Sequence, residues 1–152
     1  MKNTLEEKLI KIAPILYQQH KLDVTYTAMC WGFECPDTWF DILFDLSKKL
    51  EHFNIILKEY NCSIQAFQVK EKFGYLNFYY DIIINEKITD NNIIDNINMI
   101  RESADKLVDD AEKQSWNICA FCGKPAEATT NGWITRVCMN CVKNRKLSIN
   151  GE

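Results

Sequence analysis

The chain has 152 residues, 47% of them hydrophobic and 26% charged, with a formal net charge of −3. That supports one globular core with a small appendage, and no apolar run approaches the roughly 20 residues that a bilayer-spanning helix needs. Residues 1–115 carry 13 Lys and Arg against 19 Asp and Glu, whereas residues 116–152 carry 5 against 2; the basic tail permits nucleic-acid binding but is too small to establish it.

The opening MKNTLEEKLIKIAP threads charges through its apolar positions and reads as an amphipathic helix, not as a signal peptide. The expected location is therefore the cytoplasm. Leu5, Leu9, Ile12 and Leu16 fall at helical spacing, Thr4 and Glu7 match a capping box, and Pro14 should kink or end the helix. A loop-like stretch, LDVTYTAMCWGFECP, follows. The segment PDTWFDILFDLSKKLEHFNIILKEY predicts a second helix capped by Asp37, with Trp39, Leu43, Leu46, Leu50, Phe53 and Leu57 as its buried stripe.

The period then changes from helical to alternating. Leu76, Phe78, Tyr80, Ile82 and Ile84 occupy alternate positions and Gly74 supplies a turn, so residues 63–84 predict a β-hairpin. If those residues face the core, Tyr75, Asn77, Tyr79 and Asp81 face outward. On the partner strand Phe67 and Val69 should point inward, leaving Gln68 and Lys70 beside the tyrosines. A third helix is predicted from TDNNIIDNINMIRESADKLVDDAEKQSW, through Ile94, Ile97, Ile100, Ala104, Leu107, Val108 and Ala111, with Thr89 or Asp90 as cap. The class is α+β: a helix-helix-hairpin-helix body over residues 1–115, then a module over 116–152 that packs on it or is tethered to it.

That module carries the strongest chemical signal. In CAFCGKPAEATTNGWITRVCMNC, two Cys-x-x-Cys pairs are separated by fifteen residues. In a reducing compartment such pairs favour metal over disulfide. A structural zinc site needs four sulfurs about 2.3 Å from the metal at tetrahedral angles. One knuckle supplies Cys119 and Cys122, and a hairpin signalled by Asn131-Gly132 brings Cys138 and Cys141 alongside. Four thiolates close the coordination sphere, so one structural Zn2+ is expected, not a catalytic one. Its cluster would carry a net charge of about −2, which Lys124, Arg136, Lys143 and Arg145 could offset. Knuckle, hairpin and a short helix over MNCVKNRKL resemble a treble clef, with GATA-type fingers the nearest well-known comparison; that likeness covers residues 117–146 and rests on the spacing and Gly123.

Other constellations are weaker. Cys30, Cys35 and Cys62 read as small core residues; the sharper alternative pairs Cys30 or Cys35 with His52 or His20 as nucleophile and base. Asp37, Asp41 and Asp45, and likewise Glu102, Asp105 and Asp109, form rows that read as solvated helix faces. Metal-dependent phosphodiester chemistry on them would need a nearby His or a glycine-rich phosphate loop, and neither is evident. On the outer hairpin face, Lys70, Lys72, Tyr75, Asn77 and Tyr79 combine aromatic rings with cations. That composition suits a protein hot spot, and it equally suits base stacking.

GFECPDTWFDIL, QVKEKFGYLNFYYD and the terminal CAFCGKP…NGWITRVCMNC together resemble an uncharacterised family of small bacterial and phage proteins. The residues carrying the likeness are Gly32, Trp39, Val69, Lys70, Glu71, Lys72, Phe73, Gly74, Leu76, Phe78, Gly132 and Trp133, with the four module cysteines. The resemblance implies a mobile-element setting, in which small non-enzymatic proteins bind and inhibit host machinery. The expected function is a non-catalytic, zinc-stabilised binding protein that docks on a host protein, its concrete version a counter-defence inhibitor. The alternative is a nucleic-acid-binding module using the treble clef and the Lys/Tyr hairpin, and an enzyme ranks last.

Overall fold

The computed structural model describes residues 1–150. Its order is α1 (Asn3–Ile12), β1 (Phe33–Glu34), α2 (Phe40–Leu57), β2 (Cys62–Lys72), β3 (Tyr75–Ile84), α3 (Asn91–Ser115), β4 (Ala128–Thr129), β5 (Arg136–Val137) and α4 (Met139–Arg145). The α+β class holds. A three-stranded sheet, ordered β1-β2-β3, packs against α2 and α3, and α1 packs on α2. No helix among the described residues is long and apolar enough to cross a membrane.

The first two helices depart from the expected caps, and the third keeps one of them. Neither Thr4 nor Glu7 caps α1, whose N-cap is Lys2 without a side-chain bond. The Lys2 N–H instead donates to the Asp37 carboxylate at 2.8 Å. Asp37 thus caps the first helix from the entrance of the second, while its own helix begins with a 3-10 turn over Asp37–Trp39. The first helix stops at Ile12, two residues before Pro14, as proline's ring and missing N–H require. Its apolar continuation still enters the core: Ala13, Leu16 and Tyr17 are fully buried in the turn beyond. Asp90 caps α3, accepting the Asn92 N–H at 2.8 Å.

The stripe of α2 needs one correction. Trp39, Leu43, Leu46, Leu50 and Leu57 are buried, but Phe53 is half-buried and Asn54 takes the inward position. The Asn54 amide does what no apolar residue could there. Its Oδ1 accepts the Ile64 N–H at 2.7 Å and its Nδ2 donates to the Ile64 carbonyl at 3.2 Å, tying α2 to β2.

The hairpin forms as expected, closed by a two-residue turn in which Phe73 and Gly74 both have positive φ, +54° and +83°. Gly74 is required twice over, because an added Cβ would also lie 3.1 Å from the Trp116 ring. The inward positions of β2 differ from strict alternation. A bulge between Ala66 and Gln68 makes Phe67 the extra residue, so Ala66 and Val69 point inward and Phe67 does not. On β3 the core face is Leu76, Phe78 and Ile82; Tyr80 is half-buried with its hydroxyl on Asp105, and Ile84 is exposed at the strand's end. On α3 Ile94 is likewise exposed, and Leu107 is half-buried.

One strand and one edge contact were not expected. Strand β1 lies within the stretch read as loop and pairs in parallel with β2, Phe33 opposite Val69 and Glu34 opposite Lys70. The free edge of β3 is covered by α3: the Leu76 N–H donates to Ser115 Oγ and the Phe78 N–H to the Glu112 carboxylate, each at 2.8 Å. Burial raises the Glu112 carboxyl above its ordinary value, against the pull of that bond. The core also holds Tyr17, edge-on to Phe33 at 4.9 Å with its hydroxyl 2.6 Å from Ser47 Oγ.

Replacing Asn54 with Ala should lower stability by about 2–4 kcal/mol, because two buried backbone groups lose their partners at once. Asn54→Asp keeps the acceptor for Ile64 N–H and should do so by a different amount. Urea unfolding of the two variants reads this directly; an unchanged midpoint for Asn54→Ala would show that the Ile64 groups find other partners.

Candidate metal centre

After α3 the chain builds a site from three local pieces. The first is the Cys119–Cys122 knuckle. The Gly123 N–H donates to the Cys119 carbonyl at 2.9 Å and the Cys119 N–H to the Lys124 carbonyl at 2.8 Å, with Gly123 at φ +75°. The second is the β4-β5 hairpin, Ala128 opposite Val137 and Thr129 opposite Arg136. Asn131-Gly132 does sit in its loop, but not as a two-residue turn. Among these two residues only Gly132 has positive φ, and the loop spans residues 131–134, closed by Thr130 N–H to the Thr135 carbonyl at 3.1 Å. The Asn131 side chain instead donates to Ser148 Oγ and the Ile149 carbonyl, each at 2.9 Å, fastening the C-terminal segment. The third piece is α4, with Cys138 at its N-cap and Cys141 in its first turn.

Together they bring the sulfurs of Cys119, Cys122, Cys138 and Cys141 within 4.8 Å of one another. Sulfurs on a tetrahedron about 2.3 Å from a zinc ion lie roughly 3.8 Å apart. The Cys122 and Cys138 sulfurs are 3.6 Å apart, so the set is preformed for one ion. Three of the cysteines are buried and Cys122 is exposed. Burial raises the Cys119 thiol, but hydrogen bonds from the backbone at Cys138, Phe121 and Cys122 outweigh it and bring it down to about 7. Such N–H donors orient a sulfur and favour its anionic form, as hydrogen bonds around metal ligands do. Cys141 is pushed up to about 12 by desolvation and by its hydrogen-bonding to the other thiols.

Two of the four cations expected to offset the cluster serve another purpose. Arg136 lies with its guanidinium 4.4 Å from the Trp116 ring centroid. Its Nε donates to the Trp116 carbonyl and Nη1 to Thr129 Oγ1, both at 2.9 Å. On its opposite side Trp116 stacks on Tyr75, 4.2 Å between centroids and 15° between planes. Arg145 covers Phe121 at 4.2 Å. The sandwich of Tyr75, Trp116 and Arg136 docks the module on the hairpin turn. A second contact, Thr38 Oγ1 to the Ala120 carbonyl at 3.3 Å, docks the knuckle on the start of α2.

This joint changes the expected partner face. Lys70, Lys72, Tyr75, Asn77 and Tyr79 do lie together, as cross-strand neighbours on one face: Lys70 opposite Asn77, Lys72 opposite Tyr75, and the Lys70 ammonium 5.7 Å from the Tyr79 ring. Tyr75, however, gives one ring face to Trp116. The most exposed rings near the turn are Phe73 at 64% and Trp133 at 78%, neither of which the strand pattern singled out. An aromatic at the first position of a two-residue turn, and a Gly-Trp pair inside a hairpin loop, were the available signals.

The weaker constellations separate. Cys30 Sγ donates to the Thr27 carbonyl and Cys62 Sγ to the Tyr60 carbonyl, while burial pushes the Cys35 thiol up to about 12. His20 Nδ1 is engaged with the Tyr17 carbonyl at 2.6 Å, and His52 lines a groove with Ile12, Ile15 and Ile55. Asp37 and Asp45 pair with Lys2 and Lys49, and Asp109 with Lys113. Asp41, Asp45 and Asp110 share a cleft between α2 and α3, but among the described residues the four cysteines are the one group placed to share an ion.

Arg136→Ala should loosen the module from the body and cost about 2–4 kcal/mol, the loss of charged hydrogen bonds and a cation–π contact, while leaving the metal site loaded. Tyr75→Ala should cost about 1 kcal/mol through the same joint. Thermal melts with metal content measured alongside check both; loss of the metal in Arg136→Ala would show that the joint holds the site itself together.

Comparison of this chain with protein-family profiles, with characterised proteins and with solved structures finds no match.

Proposed function

We propose that Cys119, Cys122, Cys138 and Cys141 hold one structural Zn2+ in a treble-clef-type module, and that the chain is a non-catalytic binding protein that docks on a protein partner. The observation that carries this is the closed set of four sulfurs within 4.8 Å, joined to an exposed aromatic and cationic surface at the hairpin turn. Zinc suits the donors: four thiolates at tetrahedral spacing are soft ligands for an ion without geometric demands of its own. A sphere filled by protein leaves no position at which the metal could activate water or substrate. Cys35 speaks against thiol catalysis, since burial pushes its thiol up to about 12 and keeps it protonated at neutral pH. Thiols kept for metal also suit the reducing cytoplasm.

The docking face in this reading is Lys70, Lys72, Asn77 and Tyr79, with Tyr75 contributing its outer edge. The module's part is structural. It buttresses the turn through Trp116, so the recognition surface depends on the metal although the metal touches no partner.

Purified protein should carry one zinc per chain, and Cys122→Ser should lose it and unfold residues 117–146. Structural zinc couples roughly 10–16 kcal/mol of apparent binding free energy to folding, and one ligand fewer forfeits much of it. Cys62→Ser should cost about 1 kcal/mol and keep the metal. Metal analysis and thermal melts of both variants decide the matter; zinc lost from Cys62→Ser but kept by Cys122→Ser would refute the ligand set. Tyr79→Ala should weaken the partner contact about ten-fold without moving the melting temperature, as expected of an exposed hot-spot ring. A shifted melt with unchanged binding would assign Tyr79 to the fold instead.

A further inference from the structure

The hairpin turn and the module's loop face each other across a groove of about 350 Å³, whose lining includes Lys70, Lys72, Phe73, Trp133 and Ile134. One wall belongs to the body and the other to the metal module. Phe73 and Trp133 stand far out of their walls, at 64% and 78% exposure. Phe73 does so from a backbone position at φ +54°, where Asn, Asp or Gly is the usual occupant. Folding needs no large ring there.

Charge narrows what the groove can take. The Lys72 ammonium lies 5.5 Å from the Phe73 ring and the Lys70 ammonium 5.7 Å from the Tyr79 ring. Neither lysine forms an ion pair among the described residues. Glu71 also lines the groove, its carboxylate turned to the Gly74 N–H at 2.7 Å, and its charge offsets only one of the two lysines. The groove is thus a locally cationic spot on a body in which acidic residues outnumber basic ones by 19 to 13. A nucleic-acid strand needs a continuing track of cations and stacking rings. Here Tyr75 is already stacked on Trp116, and beyond Tyr79 the track ends at Asp81, which is anionic and paired with Arg101.

We propose that this groove binds an extended acidic peptide segment of the partner, one apolar or aromatic side chain seated between Phe73 and Trp133 and flanking Asp or Glu carboxylates on Lys70 and Lys72. The assignment rests on the binding-protein reading and names its partner's chemistry. Because the two walls are joined through Trp116 and the module, the groove should exist in the zinc-loaded protein and be lost on chelation.

The test is selection from a displayed library of random linear peptides on the zinc-loaded protein, followed by titration of the selected peptides using Trp fluorescence. The expected result is enrichment of Asp and Glu beside Phe, Trp or Leu. Affinity should fall about ten-fold or more in Lys70→Ala/Lys72→Ala and in Trp133→Ala, and should weaken as salt rises. All these side chains are on the surface, so melts and zinc content should match the parent chain and confirm that the variants fold. Enrichment of basic or uncharged sequences, no enrichment at all, or equal binding by the lysine variant would overturn the proposal. So would oligothymidine binding the groove more tightly than any selected peptide. Peptides lost on Tyr79→Ala but retained by Trp133→Ala would sink the groove while leaving the sheet face as the docking surface, and the zinc measurement judges the metal reading separately.

Discussion

Trp116 is the residue on which the arrangement of this protein turns. Its ring lies between Tyr75 at 4.2 Å and the Arg136 guanidinium at 4.4 Å, and its carbonyl accepts from the same arginine. It stands immediately after α3, so the helix that covers the edge of β3 also delivers the ring that meets the hairpin turn. An added Cβ at Gly74 would lie 3.1 Å from the ring, so one of the two would have to shift by a few tenths of an ångström. This stacked contact joins the cysteine module to the hairpin turn, with the Thr38–Ala120 hydrogen bond as the second tie. A ring with a cation on one face and another ring on the other gains from both the quadrupole and the buried area.

The electrostatics of the C-terminal part follow from how its cations are used. A four-thiolate zinc cluster carries a net charge of about −2, and bulk composition makes the basic tail its obvious counterion. In the structure Arg136 and Arg145 lie flat on Trp116 and Phe121. They act as planar packing groups as much as charges, a use for which a guanidinium suits and an ammonium does not. Backbone N–H groups surround Cys119 in the knuckle and lower its thiol. Lys124, Lys143 and Lys146 stay exposed on the tail, and Lys70 and Lys72 add a second positive spot on the hairpin.

The seams between helices and sheet are held by single polar side chains, not by apolar contact alone. Asn54 satisfies both backbone groups of Ile64, Glu112 and Ser115 satisfy the edge of β3, and Asp37 caps α1 from another helix. The groups met by Asn54, Glu112 and Ser115 are buried or partly buried, and each would cost about 1–3 kcal/mol if left unpaired. None of these side chains carries a signature in its own sequence neighbourhood, because its partner lies far along the chain.

What the amino-acid sequence determined by itself was local and periodic. The helices follow from apolar residues at helical spacing, the hairpin from alternation and Gly74, and the ligand cysteines from a knuckle spacing whose geometry is complete within a few residues. Tertiary structure decided the rest. Phe67 left the core because a bulge added one residue, and Asn54 displaced Phe53 because β2 presented an unpaired peptide group to it. Asn131 spends its amide on Ser148 and Ile149 and leaves the loop longer than a two-residue turn. Tyr75 was half withdrawn from the surface by a tryptophan remote in sequence, and Phe73 and Trp133 became neighbours across a groove. Periodicity tells which face of an element is apolar; it cannot tell which other element will meet that face, since the meeting is fixed by packing between segments that share no local pattern.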